Sequence, residues 1–169
     1  MNLSELPEEV LTEIFDFLPP KSILNLTITC KRFNAVISSS QLLLRKFWVT
    51  FDYFNDNYDY FKGRKYSNVS IKSENYEKIL PLIESIKDSI THINADMYDL
   101  SVPLKMLLMC PNLKNIEIYD CYSEESVGLE NLELPKWNLD TFHTKSNAQL
   151  PKMLLKVLQQ STIKKLPML

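Results

Sequence analysis

The chain repeats itself. The triad Ile90, Ile93 and Ala95 recurs as Leu113, Ile116 and Ile118, as Leu139, Phe142 and Thr144, and as Ile163, Leu166 and Met168. Tyr66, Val69 and Ile71 form a weaker first copy. The copies start at 66, 90, 113, 139 and 163, so successive starts lie 24, 23, 26 and 24 residues apart. A period of this size predicts stacked units, each too small to bury its own apolar face. Within each copy the fourth and sixth positions are mostly apolar and their neighbours mostly polar, which predicts a short strand with one buried face. The rest of each period leaves room for a returning helix. Residues 73–88 supply one, with Tyr76, Ile79, Ile83 and Ile86 on one side, and Pro81 predicts a kink or a late start. Residues 103–109 and 151–160 supply shorter ones, carrying Leu104, Leu107 and Leu108, then Leu154, Val157 and Leu158. The fifth copy ends at Leu169 without a polar cap, so either the array continues or something else covers its last strand.

Residues 1–50 carry a different pattern. Ser4 can cap a first helix, Pro7 suits its first turn, and Glu8 and Glu9 complement its positive end. Pro19 and Pro20 stop it. Its apolar residues form two adjacent stripes, with Val10, Ile14 and Phe17 on one and Leu11, Phe15 and Leu18 on the other. Ser22 can cap a second helix with Ile23, Leu24, Leu26 and Ile28. A third holds Phe33, Val36 and Ile37 and breaks at the serines of 38–40, before a fourth apolar segment from Leu42 to Trp48. About 45 residues of short helices make only a small core. One stripe can pack internally, and the other needs a partner or becomes an aggregation liability.

This segment resembles an F-box. The matching features are Leu6 with Pro7, the acidic pair Glu8 and Glu9, Ile14 with Phe15, Leu18, the pair Ile23 and Leu24, Cys30 with Lys31 and Arg32, and the late stretch from Leu44 to Trp48. Phe33 departs from the family, which usually has tryptophan there. The resemblance implies a three-helix module that docks on a Skp-type adaptor and so, indirectly, on a cullin scaffold. Carried over by position, Leu6, Pro7, Leu11, Phe15, Leu18, Leu26, Cys30 and Phe33 look like the adaptor-facing side, and Val10, Ile14 and Leu24 look internal. The second half is similar to leucine-rich repeats of the cysteine-containing kind often fused to F-boxes. The stretch from Cys110 through Leu113, Ile116 and Ile118 to Cys121 carries that likeness, and Asn147 closes the fourth copy in the same way. The expected architecture is therefore α/β. It has a helical F-box at 1–50, an aromatic and acidic linker at 51–65, and a short repeat solenoid with parallel strands and returning helices at 66–169.

Composition narrows the chemistry. A net charge of -2 gives no basic surplus, so nucleic-acid binding is not expected. Two glycines, Gly63 and Gly128, cannot build a glycine-rich phosphate loop. Three cysteines without a CxxC pair fit a reducing compartment, and no zinc pair with histidines follows. With no basic leader and no run of ~18 apolar residues, neither secretion nor membrane insertion is expected, and the expected location is cytoplasmic or nuclear. No cofactor, metal or catalytic residue is expected. In the linker, Asp52, Asp56 and Asp59 alternate with aromatics but lack the fixed glycine and closing glutamate of a calcium loop. They read as part of a joint that packs the helices on the first repeat, or as a tyrosine-rich target loop.

The strand positions pointing away from the core are the better candidates for contact. His92, Asn94, Asn115, Glu117, Tyr119, Thr141 and His143, the seven candidates, fall there, as do Asn68, Ser70, Lys72, Asp96 and Lys145. No arginine cluster occurs among them, so phosphate reading is not expected. The expected function is a non-enzymatic one, the substrate-recognition adaptor of an SCF-type ubiquitin ligase, with an unknown protein as target. The alternatives are an F-box protein of a non-ligase Skp-containing assembly, in chromosome or membrane-traffic machinery, and a pathogen decoy of the host ligase.

Overall fold

The computed structural model describes residues 2–52, 63–72, 76–96, 101–119, 134–144 and 152–165. Four helices come first, α1 (Glu8–Asp16), α2 (Pro20–Thr29), α3 (Lys31–Ser39) and α4 (Gln41–Leu44). Strands β1 (Trp48–Phe51), β2 (Asn68–Ile71), β3 (His92–Asp96), β4 (Asn115–Tyr119), β5 (Asn138–Thr144) and β6 (Thr162–Lys165) follow, with helices α5 (Tyr76–Ile86), α6 (Ser101–Met109) and α7 (Lys152–Gln160) between some of them. The strands form one sheet in sequence order, and every pair is parallel. The helical start followed by a parallel sheet with helices agrees with the α/β expectation.

The start signals differ in detail from the sequence reading. Asn2, not Ser4, supplies the first cap. It closes a capping box around a short 3-10 turn, Leu3–Glu5, and α1 then begins after Pro7 with no side-chain cap. Ser22 does not cap α2 either, because Pro20 already occupies its first turn. The Cys30 sulfur accepts from the Phe33 amide at 3.4 Å and caps α3. Ser40 ends α3 and accepts from the Leu43 amide, so the serine run both stops one helix and starts the next. Helix α5 runs through Pro81.

The sheet has one strand more than the five repeat copies. Trp48 to Phe51, expected to straddle the end of a fourth helical segment and the start of the linker, pairs with β2 in the register Val49 with Val69 and Phe51 with Ile71. Its alternation of apolar and polar residues is a strand period, hidden in sequence by the leucines just before it. The strand spans the boundary expected at residue 50. Each unit is tied to the next across one period. The Thr91 and His92 amides both donate to Ser67 O, those of Lys114 and Asn115 to Thr91 O, and those of Asp140 and Thr141 to Lys114 O. Ser89 and Asn112 add side-chain bonds to Tyr66 O and Asp88 O.

Two cores result. In the sheet, Val49, Val69, Ile71, Ile93, Ala95, Ile116, Ile118, Leu139 and Phe142 bury against Ile79, Ile83, Leu104, Leu107, Leu154 and Val157 of the helices. Trp137, just before β5, is buried in the same core, and its indole Nε1 donates to Cys110 O at 2.9 Å. The helical core gathers Leu11, Phe15, Ile23, Phe33, Val36, Ile37 and Leu43. Phe47 packs against both cores. Arg64 joins them from the polar side. It donates to Ser38 Oγ (3.0 Å), Asn34 Oδ1 (2.6 Å) and Tyr66 Oη (3.1 Å).

Candidate functional site

Two surfaces outside these cores carry the residues singled out from the sequence. The first lies on α1 and α2, and there the structure exchanges the two faces assigned from sequence. Leu11 and Phe15 are fully buried, and Phe15 meets Phe33 edge to face with ring centroids 5.2 Å apart and planes at 81°. Leu6, Leu18, Leu26 and Cys30 are half-buried against the same cluster. Of the eight residues expected to face the adaptor, only Pro7 is exposed. Val10, Ile14 and Leu24, expected inside, are exposed instead, together with Leu3, Phe17 (89%) and Ile28 (85%).

The reason is tertiary. The two stripes of α1 are equally apolar and about 100° apart, so periodicity cannot rank them. Helices α3 and α4 decide. Phe33, Val36, Ile37 and Leu43 close on the stripe of Leu11 and Phe15. An Arg32 guanidinium N–H donates to Leu6 O at 2.7 Å, and Lys46 pairs with Asp16 at 2.9 Å between Nζ and Oδ1. These contacts link residues 26 and 30 positions apart. Phe17 and Ile28 were the readable signal, since each adds a bulky apolar side chain beyond what a small core can take.

The second surface is the sheet face turned away from the helices. The register lines its side chains up in rows. One row runs Trp48, Asn68, His92, Asn115, Thr141 and Lys165. The next runs Thr50, Ser70, Asn94, Glu117 and His143. Asp96 and Tyr119 are partners in a third. All seven candidates from the sequence therefore share one face, as expected. Trp48 was missed because its strand was.

Glu117 is the hub of this face. Its Oε2 accepts from Asn94 Nδ2 (3.1 Å) and from the Tyr119 hydroxyl (3.0 Å). His92 Nε2 stands 3.5 Å from its Oε1, and among the described residues that nitrogen has no hydrogen-bond partner. The Trp48 indole covers the His92 ring. Burial lowers the His92 pKa below its ordinary value, and the attraction of Glu117 only partly offsets this. The Tyr119 phenol is pushed up by its loss of solvent, then by Glu117 and Asp96. Tyr119 also leans on His143, with rings 6.0 Å apart, and Thr141 Oγ donates to Asn115 Oδ1 at 2.7 Å.

Among the described residues no group of three His, Cys, Asp or Glu side chains could hold a metal ion. His92 and His143 stand on β3 and β5 with β4 between them. Cys110 is buried, and its thiol is pushed up to about 12, chiefly by that burial. The sites expected at Asp56, Asp59, Cys121, Lys145 and Asn147 lie outside the described residues.

Comparison with known families agrees with the helical half. Residues 3–49 match the F-box-like family model. The chain therefore carries an F-box-like domain, a module that generally binds Skp-type adaptors. No curated protein matches the chain. Among the described residues no helix is long and apolar enough to cross a membrane.

Proposed function

We propose that this chain is the non-catalytic substrate-recognition adaptor of an SCF-type ubiquitin ligase. Its helices dock on a Skp-type adaptor, and its repeating half, similar to leucine-rich repeats, presents a protein target. The reading rests above all on where apolar surface is left uncovered. Of the large hydrophobic side chains exposed among the described residues, all but Leu155 lie within 3–49, the segment that matches the F-box-like model. Covering five or six of them would contribute on the order of 10 kcal/mol as an upper bound, before association costs. Such a surface favours a stable partner over open solvent. The mechanism is proximity. A target held beside a conjugating enzyme reacts at a raised effective concentration, with no chemistry in this chain.

The test is copurification with a purified Skp-type adaptor. Wild-type chain should capture it, and the double variant Val10→Asp, Ile14→Asp should not, while its melting stays near that of wild type. Wild-type chain that is monomeric and indifferent to the adaptor would refute the docking half. Copurifying cullin and ubiquitin-dependent loss of a bound target would distinguish a ligase from a non-ligase assembly.

A further inference from the structure

The sheet face holds a carboxylate prepared for a cation that none of the described residues supplies. Glu117 is fixed by two neutral donors, Asn94 and Tyr119. No lysine or arginine among the described residues lies within ion-pair distance of it. Among the described residues the lysines of this face are Lys72, just past β2, and Lys165, on β6, each two strands away from Glu117 on β4. The imidazole beside it is covered by Trp48 and stays neutral near pH 7, because burial disfavours its charged form. The Glu117 side chain is about one-third exposed, so its charge is open to a visitor yet partly shielded from water. Covering it with an apolar or acidic group would leave a desolvated charge unpaired, which is costly. An ammonium or guanidinium would complete its bonding with a charge-assisted contact.

Trp48 sets the other end. Its ring is 44% exposed and offers a flat apolar platform at the margin of the same face. The Trp48 ring stands 4.6 Å from the His92 ring and His92 Nε2 stands 3.5 Å from the Glu117 carboxylate, so the indole and the carboxylate are at most about 9 Å apart. An extended chain laid across the strands covers that distance in about two or three residues.

We propose that this face binds an extended polypeptide segment of the target that places an apolar side chain on Trp48 and a lysine or arginine, about two or three residues away, on Glu117. The inference rests on the reading of the sheet as the target-presenting half. It does not depend on the docking of the helices.

Random heptapeptides displayed on phage and selected on the full-length chain test it directly. The recovered peptides should carry a lysine or arginine about two or three residues from an apolar residue. Binding of the synthetic peptides, followed by fluorescence polarisation, should weaken about tenfold with Glu117→Gln, which keeps the size of the side chain. Trp48→Ala should weaken the same peptides and should lose the preference for the apolar position. The double variant Val10→Asp, Ile14→Asp should bind them as wild type does. Recovery of acidic or uncharged peptides, recovery of none, or affinity unchanged by Glu117→Gln would overturn the proposal. Adaptor capture, measured on the same preparations, is scored separately. Its failure beside intact peptide binding would count against the ligase reading and leave this one standing.

Discussion

The indole of Trp48 lies against the imidazole of His92, with ring centroids 4.6 Å apart and planes at 66°. One ring comes from the last residues of the F-box-like segment and the other from the middle of the sheet. This contact makes tryptophan fluorescence a reporter of His92. Because its folded-state pKa is lowered, the unfolded chain binds the proton more readily, so stability is full above the ordinary histidine value of 6.5 and falls as pH drops through the lower folded value. Urea midpoints should therefore decline as pH drops below 6.5, and His92→Gln should flatten that decline. Trp48 emission should fall over the same interval, since an imidazolium quenches an adjacent indole and Trp137 is buried elsewhere. An unchanged pH profile in His92→Gln would refute the assignment.

The exchanged faces of α1 predict opposite phenotypes for neighbouring residues. Phe15→Ala and Leu11→Ala remove fully buried side chains from the helical core and should each cost about 2–5 kcal/mol. Val10→Ala and Ile14→Ala sit on the exposed stripe and should cost under about 1 kcal/mol. Chemical denaturation of the four variants checks both halves. Equal losses on the two stripes would show that both are covered within the chain.

What the sequence revealed and what it concealed divide along physical lines. The strands after residue 66 and their register were legible, because alternate burial and a 23–26 residue period leave little freedom. Glu117, His92 and their neighbours were placed on one face for the same reason. The inward stripe of α1 was not legible, because Val10 with Ile14 and Leu11 with Phe15 are equal in apolar character, and contacts from α3 and α4, distant along the chain, choose between them. The hub role of Glu117 was hidden too. It depends on Asn94 and Tyr119 reaching one oxygen, and a one-dimensional pattern carries no such distance. The Trp48 strand was masked by its setting, since a short alternating run straight after Leu42, Leu43 and Leu44 reads as more helix.

Arg64 should behave as a fastener between the two cores. Its guanidinium spans Ser38 and Asn34 of α3 and Tyr66 of the sheet half. Arg64→Ala should lower stability by about 1–3 kcal/mol by releasing these bonds. Arg64→Lys should recover little, since an ammonium cannot reproduce the planar fork that reaches three acceptors. Denaturation curves followed by circular dichroism check the size of the loss. Full rescue by lysine would mean that charge alone, rather than geometry, joins the halves.

The two described cysteines should differ sharply toward alkylating reagents. Cys30 is partly exposed at the junction of α2 and α3. Cys110 is buried, its carbonyl accepts the Trp137 N–H, and its thiol is pushed up to about 12, so almost no thiolate exists at pH 8. Iodoacetamide at pH 8 should modify Cys30 in the native protein and leave Cys110 untouched, as read by peptide mass mapping. Cys110 should become reactive only on unfolding, so its labelling rate reports the opening of the sheet core. The variant Trp137→Phe, which removes the donor to Cys110 O and keeps an aromatic in the core, should accelerate that labelling. Prompt native labelling of Cys110 would contradict the packing of the sheet core around it.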